Sequence, residues 1–141
     1  MIILLDTSIF IAANQPAHIH HTAVRQWRTE AVAQGATFIG ASHALAEFFR
    51  VLTSPVFKIS PRDVAQMVEA LERAMPFFSL TPEEYVEAVQ LTEVQGLSSG
   101  AVYDALHVRA AGKGGATHVA SLDKRSFPHL LPPKHLITVL S

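Results

Sequence analysis

Four acids, Asp6, Glu47, Asp104 and Asp123, stand apart by position from the rest of the twelve acidic side chains in this 141-residue chain. Asp6 ends an unbroken apolar run, Met1 to Leu5, and is followed by Thr7, Ser8 and a second apolar run from Ile9 to Ala13. Carboxylates drawn within a few ångströms of one another repel, and each raises the pKa of its neighbours. A bound hard cation reverses that penalty, and an oxygen-only donor set favours Mg2+ or Mn2+ over zinc. Such a site can polarise a phosphodiester, activate a water molecule and stabilise the leaving oxygen. Phosphodiester hydrolysis is the chemistry this acid set suits best.

Positioning the acids requires a particular kind of framework. The run ending at Leu5 has the pattern of a strand buried on both faces, as in the centre of a parallel sheet. A short helix from Ile9 to Asn14 is expected next, then a helix from Thr22 to about Gln34 closed by Gly35. Phe38 to Ala41 reads as a second strand, with Ser42 as N-cap of a helix, His43 to Leu52, that carries Glu47. Ser60-Pro61 opens a core-facing amphipathic helix with apolar residues at Val64, Met67, Val68, Leu71 and Met75. Phe77 to Leu80 reads as a strand, and Thr81-Pro82-Glu83-Glu84 starts a helix with a capping box that runs to about Gln95. A helix from Ala101 to Ala111 has Asp104 in its first turn. His118 to Ser121 forms a strand with Asp123 just beyond it, and the last strand is Leu136 to Leu140.

Strands alternating with helices, and no hairpin signal, predict an α/β sandwich with a mainly parallel sheet in a single domain, 1–141. In such folds strand ends and the starts of the following helices share one edge of the sheet, where all four acids would converge. Glu69, Glu72, Glu83 and Glu87 read instead as solvated helix faces.

Each acid also has a plainer reading. Asp6 is a good cap for the helix that follows, Asp104 is favoured by the helix dipole, and Asp123 fits a turn. Glu47 is harder to read as a surface residue, because large apolar residues crowd its helix. Arg50, one turn beyond, either pairs with Glu47 or faces the groove. Lys124 and Arg125 either contact phosphates or form a charged loop. His107, one turn past Asp104, reads more readily as a core or supporting histidine than as a proton-transfer group. His18 and His21 have no nearby acid or thiol and read as a loop rather than a zinc site. The glycines at 112–115 follow a helix and form a turn, not a phosphate-binding loop.

Composition narrows the field further. Hydrophobic content of 49% and charged content of 16% describe a compact apolar globule. With no cysteine there is no disulfide, thiolate metal site or cysteine nucleophile. Neither a signal peptide nor a membrane span is expected, which together with the lack of cysteine points to the cytoplasm. A net charge of −1 means that any nucleic-acid surface must be local.

The order of short motifs carries a resemblance. Leu4-Leu5-Asp6-Thr7-Ser8, Ala46-Glu47-Phe48-Phe49-Arg50-Val51-Leu52, Tyr103-Asp104-Ala105-Leu106-His107 and Ala120-Ser121-Leu122-Asp123 follow one another on the expected elements. Over essentially its whole length the chain resembles a PIN domain, and in layout it is most similar to VapC-type toxins of toxin–antitoxin pairs. The resemblance implies a PIN-like α/β/α sandwich and a Mg2+- or Mn2+-dependent endoribonuclease. Asp6, Glu47, Asp104 and Asp123 would hold metal and orient the attacking water, with Ser8 and Ser121 supporting the pocket. Structured tRNA or rRNA as substrate, a homodimer and a small inhibitory antitoxin are also implied. One departure is Ser126, where many relatives carry a further acid or Asn, so a second metal would be held weakly or only with substrate.

Two other functions compete. A catalytically quiet RNA-binding or assembly module would keep the fold, but it has no reason to concentrate four acids. A phosphatase of the haloacid-dehalogenase type needs a second Asp two residues after the first, and Ser8 stands there.

Overall fold

The computed structural model describes residues 1–139. Five strands, β1 (Ile2–Leu5), β2 (Thr37–Ala41), β3 (Phe77–Phe78), β4 (His118–Ser121) and β5 (Leu136–Thr138), form one sheet in the order β3-β2-β1-β4-β5. Every pairing is parallel. The helices among the described residues are α1 (Thr7–Asn14), α2 (His21–Ala33), α3 (His43–Leu52), α4 (Pro61–Ala74), α5 (Pro82–Val94), α6 (Ala101–Lys113) and the short α7 (Phe127–Leu130). None is long and apolar enough to cross a membrane.

Alternation along β1 divides the core, since successive side chains of a strand point to opposite faces. Ile3 and Leu5 pack with residues of α1, α2, α3 and α4, including Phe10, Val24, Phe48, Leu52 and Val64. Leu4, on the other face, joins Ile39, Val119 and the α6 residues Ala110 and Ala111. The continuous apolar run of β1 is thus explained by burial on both faces, and the architecture is the expected α/β/α sandwich.

Side-chain caps start three of the seven helices among the described residues, α1, α4 and α5. The Ser60 hydroxyl accepts from the Asp63 amide, with Pro61 as the first residue of α4. Thr81 and Glu84 complete a capping box at 2.9 and 3.2 Å. Glu84 also accepts from Lys113 Nζ at 2.7 Å. That hydrogen bond and the capping contacts hold its carboxyl down at about 2. Arg109 pairs with Glu84 and Glu87, tying α6 to α5, so Glu87 is not the purely solvated residue its position suggested.

Several boundaries differ from expectation. Helix α1 begins at Thr7 because Asp6 caps it, and α6 continues to Lys113. Ser42 does not cap with its side chain: its backbone is already helical and its hydroxyl meets that of Ser79 at 2.7 Å. The strand expected over 77–80 shortens to two residues, as the chain turns into the Thr81 cap. Helix α7 gave no periodic signal because it is only four residues long. The expected last strand ends at Thr138, and Leu140 lies outside the described residues.

His18 and His21 are engaged locally. The His20 amide donates to His18 Nδ1 at 3.0 Å, and His21 Nδ1 meets the Ala12 carbonyl at 2.7 Å.

Phe48 is completely buried in the larger core cluster. Phe48→Ala should therefore cost about 3–5 kcal/mol, read as a lowered urea midpoint with the slope of the transition unchanged.

Candidate active site

The order β3-β2-β1-β4-β5 reverses between β1 and β4, and ligands of open parallel sheets bind beyond the strand ends at such a reversal. Leu5 is paired with Ala120, so the next residues, Asp6 and Ser121, emerge side by side. Asp6 is buried, at 4% exposure. Its Oδ1 accepts from the Ser8 hydroxyl at 2.6 Å and from the Ile9 amide at 3.2 Å, and its Oδ2 accepts from the Ser121 hydroxyl. The Ile9 contact makes Asp6 the N-cap of α1, so the cap reading and the site reading describe one geometry.

The two serines also bind the backbone just after β4. Ser8 Oγ accepts from the Leu122 amide at 3.0 Å, and Ser121 Oγ accepts from the Asp123 amide at 2.8 Å. Each hydroxyl therefore joins the Asp6 carboxylate to the loop after β4. Burial pushes the Asp6 carboxyl up, against the lowering effect of His107 and the two serines.

Asp104, in the first turn of α6, is pushed up to about 6, first by burial and then by the charges of Asp6 and Asp123. His107 and the Ser126 side chain, which is hydrogen-bonded to Asp104, work in the opposite direction. That mutual influence places Asp6, Asp104 and Asp123 in one predominantly negative electrostatic group, which His107 offsets only in part. Its oxygen donors and unfavourable field fit a hard divalent cation.

Glu47 is differently placed. Its Oε1 accepts from the Thr7 hydroxyl at 2.9 Å and lies 3.4 Å from His43 Nε2 and 3.7 Å from His107 Nε2. Burial raises the Glu47 carboxyl, but His107, Thr7 and His43 together bring it below the usual range. His43 is pushed down to about 4 by burial and by His107, so its ring is neutral at pH 7. No ion pair joins Arg50 to Glu47 among the described residues; Arg50 lies on the wall of a cleft instead.

That cleft, of about 910 Å3, is lined by Glu47, Asp104, Asp123, Arg50, Arg125 and Ser126 among others. Asp6 lies beneath it and does not contribute to the lining. Arg125 turns back on Asp123, its amide donating to Oδ1 at 2.7 Å. Lys124 is exposed and lies outside the cleft lining.

The four predicted carboxylates thus share one sheet edge, but they are not all at ligand spacing. Among the described residues the group with donor atoms all within 4.8 Å is His43, Glu47 and His107. His43 was missed in sequence. Its position four residues before Glu47, on one face of α3, was the available signal.

The doubly wound sheet and the acid group at its reversal define an α/β domain with a carboxylate-lined cleft. Residues 3–130 match the family profile of the PIN domain, and the chain belongs to that family. No curated protein matches it in sequence. Among solved structures it is similar to Mycobacterium tuberculosis VapC20, a sarcin–ricin loop cleaving toxin. That likeness has a TM-score of 0.71 and 15% identity over 89% of this chain and 93% of that one. VapBC2 from Rickettsia felis, bound to a fragment of its promoter DNA, matches with TM-score 0.67 and 18% identity over 97% of each chain. FitAcB from Neisseria gonorrhoeae matches with TM-score 0.62 and 16% identity, again over 97% of each.

The raised Asp104 carboxyl has a consequence for stability. Between the unfolded value near 3.8 and the folded value of about 6, the native state binds more protons than the unfolded state. Stability therefore falls as pH rises through that window. In metal-free buffer Asp104→Asn should be more stable than the parent at pH 8, by about 1–2 kcal/mol once partial exposure is discounted. The gap should close towards pH 4, as followed by urea denaturation. Mg2+ should stabilise the parent more than the variant.

Proposed function

We propose that this protein is a metal-dependent endoribonuclease and the toxin of a type II, VapBC-like toxin–antitoxin pair. The observation that carries the reading is the electrostatic grouping of Asp104 with Asp6 and Asp123 at the sheet reversal, with Asp104 and Asp123 in the wall of a cleft that Arg50 and Arg125 also line. Membership of the PIN domain family and the likeness to VapC folds support it.

In this reading Asp6, Asp104 and Asp123 hold Mg2+ or Mn2+, and Glu47 completes the acid set. A bound divalent cation supplies polarisation of the phosphodiester and acidification of a water molecule. The chain's own residues do the rest. Ser8 and Ser121 fix the Asp6 carboxylate and the Asp123 loop relative to each other. Glu47, kept ionised and oriented by Thr7, presents a carboxylate to the cleft for orienting the attacking water. Arg50 and Arg125 border the same cleft, where a phosphate backbone would lie, providing local positive charge on a chain whose net charge is −1. Ser126, standing where many relatives carry a further acid or Asn, leaves this group with one fewer donor of that kind for a second cation.

The proposal extends to a cytoplasmic single-domain protein acting on structured RNA, tRNA or rRNA, and restrained by a small cognate antitoxin. A homodimer belongs to it as well. Helix α5 exposes Tyr85, Val86 and Val89, apolar surface of the kind another subunit would cover.

Purified protein incubated with a mixed cellular RNA pool should yield discrete fragments with Mg2+ or Mn2+ and none with EDTA. Asp6→Asn and Asp104→Asn should each lower the rate about a hundredfold or more, as expected when several kcal/mol of metal-assisted stabilisation is lost. Equal behaviour of parent and variants with metal present would reject catalysis through these acids and favour the quiet RNA-binding module.

A further inference from the structure

We propose that His43, Glu47 and His107 form a second cation site, sharing Glu47 with the neighbouring acid set, that takes a borderline transition ion such as Zn2+ in preference to Mg2+. The three donor atoms lie within 4.8 Å of one another, with Glu47 Oε1 3.4 Å from His43 Nε2 and 3.7 Å from His107 Nε2. Two ligands about 2.0–2.1 Å from a tetrahedral zinc are roughly 3.4 Å apart, so both separations are close to those of a closed site. The rings are already together, their centroids 4.3 Å apart.

The donor chemistry differs from that of the neighbouring acids. Two imidazole nitrogens and one carboxylate oxygen suit zinc and its neighbours in the transition series, whereas Mg2+ prefers oxygen alone. His43 Nε2 is buried and has no hydrogen-bond partner. A backbone hydrogen bond at Tyr103 engages the same ring, the kind of contact that fixes the tautomer of a ligand histidine. His107 is 2% exposed, with Nε2 3.3 Å from the Thr7 hydroxyl that also bonds Glu47. His43 and Glu47 both line the cleft, so a fourth position opens towards solvent or substrate. The geometry of this donor set stands whether or not the neighbouring acids hydrolyse RNA, although Glu47 belongs to both groups.

Binding is measured without reference to RNA. The full chain, stripped with chelator, is titrated with Co2+ while visible absorption is followed, and with Zn2+ by calorimetry. One Co2+ should give the strong visible bands of a low-coordinate, nitrogen-ligated ion, displaced by Zn2+ and unaffected by excess Mg2+. His43→Gln, at a half-buried position that tolerates change better than His107, should abolish the bands. It should weaken Zn2+ binding more than about tenfold, since loss of even an outer partner costs that much. Asp104→Asn should keep both. Absence of the bands in the parent overturns the proposal. So does their loss in Asp104→Asn with retention in His43→Gln, which would place the ion among the carboxylates.

Discussion

The burial of one carboxylate organises this site. Asp6 stands at the carboxyl end of the central strand, almost wholly removed from water. An ionised carboxylate in that position costs several kcal/mol unless hydrogen bonds replace the lost hydration. The chain supplies them from two sides: the Ile9 amide and Ser8 hydroxyl from α1, and the Ser121 hydroxyl from β4. Because each hydroxyl has a lone pair left over, the same two serines accept from the Leu122 and Asp123 amides. The loop that carries Asp123 is therefore positioned by the atoms that satisfy Asp6. Cap, strand register and site geometry follow from one requirement.

Charge is distributed to match. Asp6 and Asp123 both push Asp104 towards its protonated form, a field that a divalent cation relieves. Two arginines line the cleft: Arg50, which makes no ion pair with Glu47 among the described residues, and Arg125, whose Nε lies 3.4 Å from Asp123 Oδ1. Positive charge along the cleft favours a polyanion there. The ion pairs of Glu84 and Glu87 with Lys113 and Arg109 lie on the outer helices, where they dock α5 on α6.

Glu47 sits where two kinds of chemistry meet. On one side are oxygen donors that suit a hard ion; on the other are two imidazoles, one of them neutral at pH 7 because it is buried beside the other. Thr7, the first residue of α1, touches both Glu47 and His107. The helix capped by Asp6 thus delivers a contact to this second group as well, and α1 links the two.

The sequence alone determined the order of elements, the parallel sheet and the four acids at its edge. Those follow from local physics: the unbroken apolar run of β1, the caps at Ser60 and Thr81, and the 3.6-residue period of α4. It also carried the short motifs by which the chain resembles the PIN domain. The tertiary structure decided what the residues do to one another. Ser42 looked like a cap and became a partner of Ser79, because strand β3 brought that hydroxyl within reach. Arg50 had two possible directions, and the packing of α3 sent it to the cleft. His43 and His107 are 64 positions apart (107 − 43), and no periodicity relates them. Only the docking of α3 and α6 on opposite sides of the β1 end brings their rings together around Glu47, since contacts between separate elements depend on the fold and leave no trace in local spacing.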